Sequence, residues 1–124
     1  MSTVTLTFDD FESTITGNPV VIVDFWAAWC GPCRAFAPVF EKSAQAHPDI
    51  VHAKVDTEAQ QELAAALQIR SIPTVMAFRD GVLVYSQPGA MPQAVLEELI
   101  TKIKALDMAE VRATIAARKA GTDA

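Results

Sequence analysis

The run Val20-Val21-Ile22-Val23-Asp24-Phe25-Trp26-Ala27-Ala28 leads straight into Trp29-Cys30-Gly31-Pro32-Cys33 and constrains the fold more than any other stretch. An apolar run of this length with one charge inside it reads as a central strand covered by helices on both faces. The only two cysteines of the chain follow it, two residues apart, and a helical pattern begins near Arg34. The pair therefore falls where a buried strand gives way to a helix N-terminus. The first turn of a helix offers unpaired N–H groups and the positive end of its dipole, and both favour a thiolate over a thiol. Cys30, at the front of the turn, is expected to be the exposed, low-pKa nucleophile. Cys33, one turn further in, is expected to be more buried and within reach of a disulfide. Pro32 is tolerated in a first turn because its missing N–H would have had no helical partner.

Taken in order, Val4, Leu6 and Phe8 alternate with threonines and predict a short first strand. Asp9 with Glu12 predicts the capped start of a helix whose Phe11 and Ile15 face inward, ended by Gly17-Asn18-Pro19. After the cysteines, Phe36, Val39 and Phe40 form the apolar stripe of a helix running to about Ala46, with Pro38 expected to kink it. Residues 50–55 read as a third strand and residues 58–68 as a helix. Asp80-Gly81 between residues 74–78 and 82–85 is a strong antiparallel hairpin signal. Val95, Leu96, Leu99, Ile100, Ile103 and Leu106 then recur at helical spacing. The order β-α-β-α-β-α-β-β-α implies an α/β sandwich, parallel pairing first and an antiparallel edge after. Beyond it, Asp107 with Glu110 can cap a further helix bearing Met108, Val111 and Ile115. Residues 1–106 are thus expected to form the domain and residues 107–124 a helical C-terminal extension, lying on the surface or serving as a partner contact.

A chain of 124 residues supports one core. Its net charge of −5 speaks against a nucleic-acid surface. The charge is uneven, with nine acids against three bases in residues 1–62 and six against seven in the remainder. The N-terminus lacks the basic and apolar regions of a secretory signal, and no apolar run approaches the roughly 18 residues of a membrane span. A cytoplasmic protein is expected, where a lone cysteine pair is redox-active more often than structural.

Zinc is the competing use of Cys30 and Cys33, but structural zinc wants four ligands and only His47 and His52 could join them, without the usual spacing. No metal is expected. Asp24 is the only charge between Pro19 and Cys33. A carboxyl group buried without partners tends to keep its proton, and near a thiol that must lose one it becomes a usable acid/base. A purely structural Asp, hydrogen-bonded to nearby backbone, is the alternative. Lys54 alone reads as a solvated strand lysine. Pro73, after Ile72 and just before a strand, reads as a structural turn, although the position suits a cis bond.

Trp29-Cys30-Gly31-Pro32-Cys33 resembles the active site of the thioredoxin family, and the resemblance covers about residues 3–106. It implies the thioredoxin fold, a three-layer α/β/α sandwich around a mixed five-stranded sheet in the order 1-3-2-4-5. It implies that Asp24 accepts the proton of Cys33 and pairs with Lys54. It further implies a cis Pro73 facing the cysteines, with Ile72 pairing its backbone to the substrate chain. Trp29, Ile72, Pro73, Gly89 and Ala90 would then form an apolar rim around Cys30 for extended peptide segments, with Gly31 and Pro32 also expected among the substrate-binding residues. The implied activity is reduction of disulfides in client proteins by a Cys30/Cys33 dithiol–disulfide cycle, with electrons supplied by a thioredoxin reductase. No cofactor would be bound, NADPH acting only through that separate reductase, and a monomer is expected. Arg34 stands where many members have lysine, and Ala28 where several have a polar residue. Gly-Pro between the cysteines resembles the reducing members. A disulfide oxidase or isomerase is the rival within the class, and a non-enzymatic binding subunit the rival outside it.

Overall fold

The structure, a computed structural model, describes residues 2–122. Its elements are β1 (Thr3–Thr5), α1 (Phe8–Gly17), β2 (Val20–Trp26), α2 (Gly31–Ala46), β3 (Val51–Asp56), α3 (Gln61–Ala66), β4 (Thr74–Arg79), β5 (Val82–Pro88), α4 (Gln93–Lys104) and α5 (Met108–Thr122). The sheet runs β1-β3-β2-β4-β5, parallel from β1 through β3 to β2 and antiparallel from β2 through β4 to β5. This is the expected thioredoxin fold, strand order included.

β2 sits at the centre because, Asp24 apart, its side chains are apolar on both faces. Val21, Val23 and Phe25 pack with Phe11 and Ile15 of α1, Leu63 of α3, and Met76 and Phe78. On the opposite face Val20 and Ile22 pack with Phe36 and Phe40 of α2 and with Leu96, Ile100 and Ile103 of α4. Side chains alternate along a strand, so Asp24 shares the second face, the one covered by the cysteine-bearing helix.

Several boundaries move from their expected places, each for a local reason. β1 stops at Thr5 and Phe8 opens α1 instead, 53% exposed, because Leu6 takes the inward position. The cap of α1 is a Thr7–Asp10 box rather than Asp9 with Glu12, and the Thr7 N–H donates to Asp10 Oδ1 at 2.6 Å. α2 starts at Gly31, ahead of Arg34, because the Cys30 side chain itself caps it, and it runs on through Pro38. α3 is shorter than residues 58–68. The Asp56 carboxylate accepts the N–H groups of Glu58 and Ala59 and turns residues 57–60 into a separate loop. α4 ends at Lys104, where Arg79 Nη1 donates to the carbonyls of Ile103 and Lys104 at 2.7 and 3.2 Å, and Val95 is exposed rather than part of the buried stripe. α5 is a separate helix. The Asp107 carboxylate accepts the Glu110 N–H at 3.2 Å, Met108 is buried, and Arg112 lies 3.7 Å from Asp80. The expected extension is helical over residues 108–122; Met1, Asp123 and Ala124 lie outside the described residues.

At the hairpin tip Asp80 and Gly81 both have positive φ, 52° and 80°, as a two-residue turn matched to the strand twist requires. A Cβ on Gly81 would meet Thr16 Cγ2 only at 3.9 Å, so its restriction is conformational rather than steric. Gly81→Ala is expected to lower stability by about 1 kcal/mol, read as a shifted urea midpoint at unchanged slope.

Candidate active site

Cys30 is the N-cap of α2, and its sulfur accepts the Cys33 N–H at 3.2 Å. The turn is closed by Cys30 N–H to the Ala27 carbonyl (3.2 Å) and Arg34 N–H to the Cys30 carbonyl (3.1 Å). The two cysteines form a disulfide with a Cα–Cα distance of 5.2 Å. The expected exposure of Cys30 is not found in this form. It is 4% exposed against 2% for Cys33, since its sulfur is turned inward to its partner and lies 3.7 Å from the Ile72 carbonyl oxygen. What stands open at the turn is Gly31 and Pro32.

Trp29 is 66% exposed, a large cost for an aromatic residue with no role at a surface. Its ring is not loose: Nε1 donates to Glu58 Oε1 at 2.7 Å. On the other flank Arg34 Nη1 donates to the Ala28 carbonyl at 2.8 Å, so two charged side chains hold the loop between β2 and α2. Sequence reasoning missed Glu58, which sits 29 positions from Trp29 in a segment of strong helix formers; no local signal ties the two.

The Ile72–Pro73 bond is cis, and Ile72 packs against Ala27, Cys30 and Cys33. The Gly89 N–H donates to the Pro73 carbonyl at 2.7 Å, with φ of +104° at Gly89, and this joins the two loops. Gly89 and Ala90 are exposed and Ile72 is half-buried. Pro73 departs from the expected rim. It is buried, with its carbonyl accepting the Gly89 N–H, and so forms floor rather than edge.

Asp24 is fully buried, and neither carboxylate oxygen has a hydrogen-bond partner among the described residues. Burial pushes its pKa from 3.8 up to about 7, against a smaller opposing pull from the Lys54 charge. Lys54 stands opposite Asp24 in the β2–β3 register, but the expected direct pairing is not formed. Its Nζ lies 5.0 Å over the Trp26 ring, so the ammonium acts on the carboxylate through space. Neither histidine approaches the cysteines. His47 Nε2 is 2.6 Å from Glu97, and buried His52 lies between Ser43 Oγ (2.9 Å) and the Ile50 carbonyl (3.2 Å). Burial lowers the His52 pKa. Among the described residues no cluster of three or more His, Cys, Asp or Glu side chains could hold a metal.

With this geometry in hand, comparison with known proteins decides the family: the thioredoxin family model matches residues 2–102. The chain belongs to the thioredoxin family. A thioredoxin relative from Streptomyces coelicolor is 55% identical over 119 residues, covering 96% of this chain and 89% of that protein. The thioredoxin of Alicyclobacillus acidocaldarius is 42% identical over 103 residues, covering 82% of this chain and 98% of its own. Among solved structures, a thioredoxin from Halobacterium salinarum superposes with a TM-score of 0.77 at 33% identity, covering 84% of this chain and 92% of that one. The chain is therefore a thiol–disulfide oxidoreductase, a thioredoxin-type protein-disulfide reductase whose partners are, in general, disulfide-bearing clients and a reductase.

The raised pKa of Asp24 has a definite linkage sign. The folded state holds this proton up to about pH 7 while the unfolded chain releases it near 3.8, so folding stability falls as pH rises through that window. The full penalty is on the order of 4 kcal/mol. Oxidised Asp24→Asn should lose this decline and exceed the wild type in stability above pH 7, with the two converging near pH 4. Urea midpoints across pH check it, and parallel profiles would contradict it.

Proposed function

We propose that Cys30 is the attacking sulfur and Cys33 the resolving one, with Asp24 as the proton acceptor. The Cys30 thiolate attacks one sulfur of a client disulfide, forming a mixed disulfide and expelling the other client sulfur as a thiolate. Cys33 gives its proton to Asp24 and attacks Cys30 Sγ. The second client sulfur leaves as a thiolate, the client has gained two electrons, and the Cys30–Cys33 disulfide remains. The observation that carries this reading is the position of Cys30 as N-cap of α2, where its sulfur receives a backbone N–H that would equally stabilise a thiolate. Asp24 supports it as a buried carboxyl without a hydrogen-bond partner among the described residues, on the face of β2 that α2 covers, with a pKa of about 7. Lys54 acts as a positioning charge that keeps this value from rising further.

Client chains dock in extended form against Trp29, Gly31, Pro32, Ile72, Gly89 and Ala90, over the floor made by Pro73. The exposed backbone at Gly31 and Gly89 and the fixed indole of Trp29 support such a contact. The dithiol is restored by a thioredoxin reductase drawing on NADPH, so that the protein works as an electron-transport carrier. It acts as a monomer in the cytoplasm, where a lone redox pair suits the reducing environment. Residues 1–106 make up the domain that does this, and residues 107–124 are an appended extension.

Cys33→Ser should accumulate mixed disulfides joining Cys30 to clients, visible as shifted bands on non-reducing gels that vanish with thiol. Clean release of clients from this variant would contradict the assigned order of attack. Asp24→Asn should slow the resolving step at least tenfold near pH 7 while the first attack keeps its rate, as rapid-mixing kinetics with a disulfide protein would resolve. Equal resolution rates would remove Asp24 from the mechanism.

A further inference from the structure

A groove of about 190 Å³ opens at the active-site end of the sheet, between the connection from α3 to β4 and strands β4 and β5. Ile69, Arg70 and Ser71 line one side of it and Met76, Ser86 and Pro88 the other. Cavities for small ligands run from about 300 to 1,000 Å³, so this one suits a side chain of a longer polymer rather than a cofactor.

Two observations say what it would hold. The first is continuity with the docking edge. Ser71 and Thr74, which both line the groove, bracket the Ile72–Pro73 bond, and Pro88 precedes Gly89, whose N–H is bonded to the Pro73 carbonyl. A chain laid against Ile72 and Gly89 meets this groove as it leaves the cysteines. The second is charge. Arg70 is exposed and, among the described residues, has no hydrogen-bond or ion-pair partner. The other charged side chains at the rim are engaged: Arg34 with the Ala28 carbonyl and Glu58 with the Trp29 indole. A free guanidinium on a protein of net charge −5 makes a local exception to a field that otherwise repels acids.

We propose that this groove is a subsite for the client segment flanking the reacting disulfide, and that Arg70 selects an acidic side chain there. The inference rests on the docking edge assigned above. A guanidinium suits this task because it offers a carboxylate two parallel donors. Arg70 lies two residues from Ile72, and an extended client advances roughly 3.3 Å per residue. The preferred acid is therefore expected about two residues from the client cysteine.

The test uses synthetic peptides, each carrying one mixed disulfide between its cysteine and a small thiol, with Glu, Gln or Lys placed one to four residues to either side. The wild type should reduce the best Glu peptide with a kcat/KM about two- to fivefold above its Gln counterpart, the range of an exposed ion pair, and lose that margin in high salt. Arg70→Gln should abolish the margin and Arg70→Glu should reverse it towards Lys peptides. Equal kcat/KM for Glu and Gln peptides at every position, or a margin that survives Arg70→Gln, overturns the subsite. Failure of the wild type to reduce either these peptides or a small organic disulfide would instead overturn the redox reading beneath it.

Discussion

Strand β2 can exist only where both of its faces are covered, and the rest of the molecule follows from that demand. Its apolar side chains need α1 and α3 on one side and α2 and α4 on the other. Its central place in the sheet needs a parallel neighbour, β3, and an antiparallel one, β4. Once these are supplied, the chain leaving β2 at Trp26 has one short loop in which to reverse and begin α2. The cysteines occupy that loop and the turn after it. The reactive pair thus stands at the edge of the most deeply buried strand, and the Cys30 sulfur caps a helix that packs on the core.

The same burial creates the chemistry behind the pair. A carboxyl group in a strand without water is a defect by ordinary rules of core composition. Here the defect is maintained: Asp24 has no hydrogen-bond partner among the described residues, Lys54 is close enough to be felt and too far to neutralise it, and the ammonium rests on Trp26 instead. A direct ion pair would drive the carboxyl towards permanent ionisation, and full isolation would drive it towards permanent protonation. The arrangement between these limits leaves a group able to take a proton and return it near neutral pH.

How much of this was legible in the sequence depends on the range of the interaction concerned. The apolar run of β2, the Asp80-Gly81 turn and the Cys-x-x-Cys at a strand–helix boundary are written in adjacent residues, and each was readable. The helix starts were harder, because Thr7 and Cys30 cap through geometry that several neighbouring residues could equally have supplied. Contacts set by the folded chain left no local trace at all. Glu58 holds Trp29, Gly89 holds Pro73, and the side chain expected to pair with Asp24 turns to Trp26. The inward turn of the Cys30 sulfur belongs to the same class, since it depends on the disulfide and on the neighbouring Ile72 loop.

His52 occupies the strand beside Asp24 and is as completely enclosed, yet its charge logic runs the other way. Its Nδ1 faces the Ile50 carbonyl and donates to it, its Nε2 lies 2.9 Å from Ser43 Oγ, and burial disfavours the charged ring. Acidification below the ordinary histidine range therefore forces a cation into the layer beneath α2, and the fold weakens as the ring resists it. The neighbouring carboxyl has by then already taken up its proton, because its own burial raises its pKa to about 7. Two interior groups on adjoining strands thus work as opposed weights, a lower pH favouring the burial of one and opposing the burial of the other.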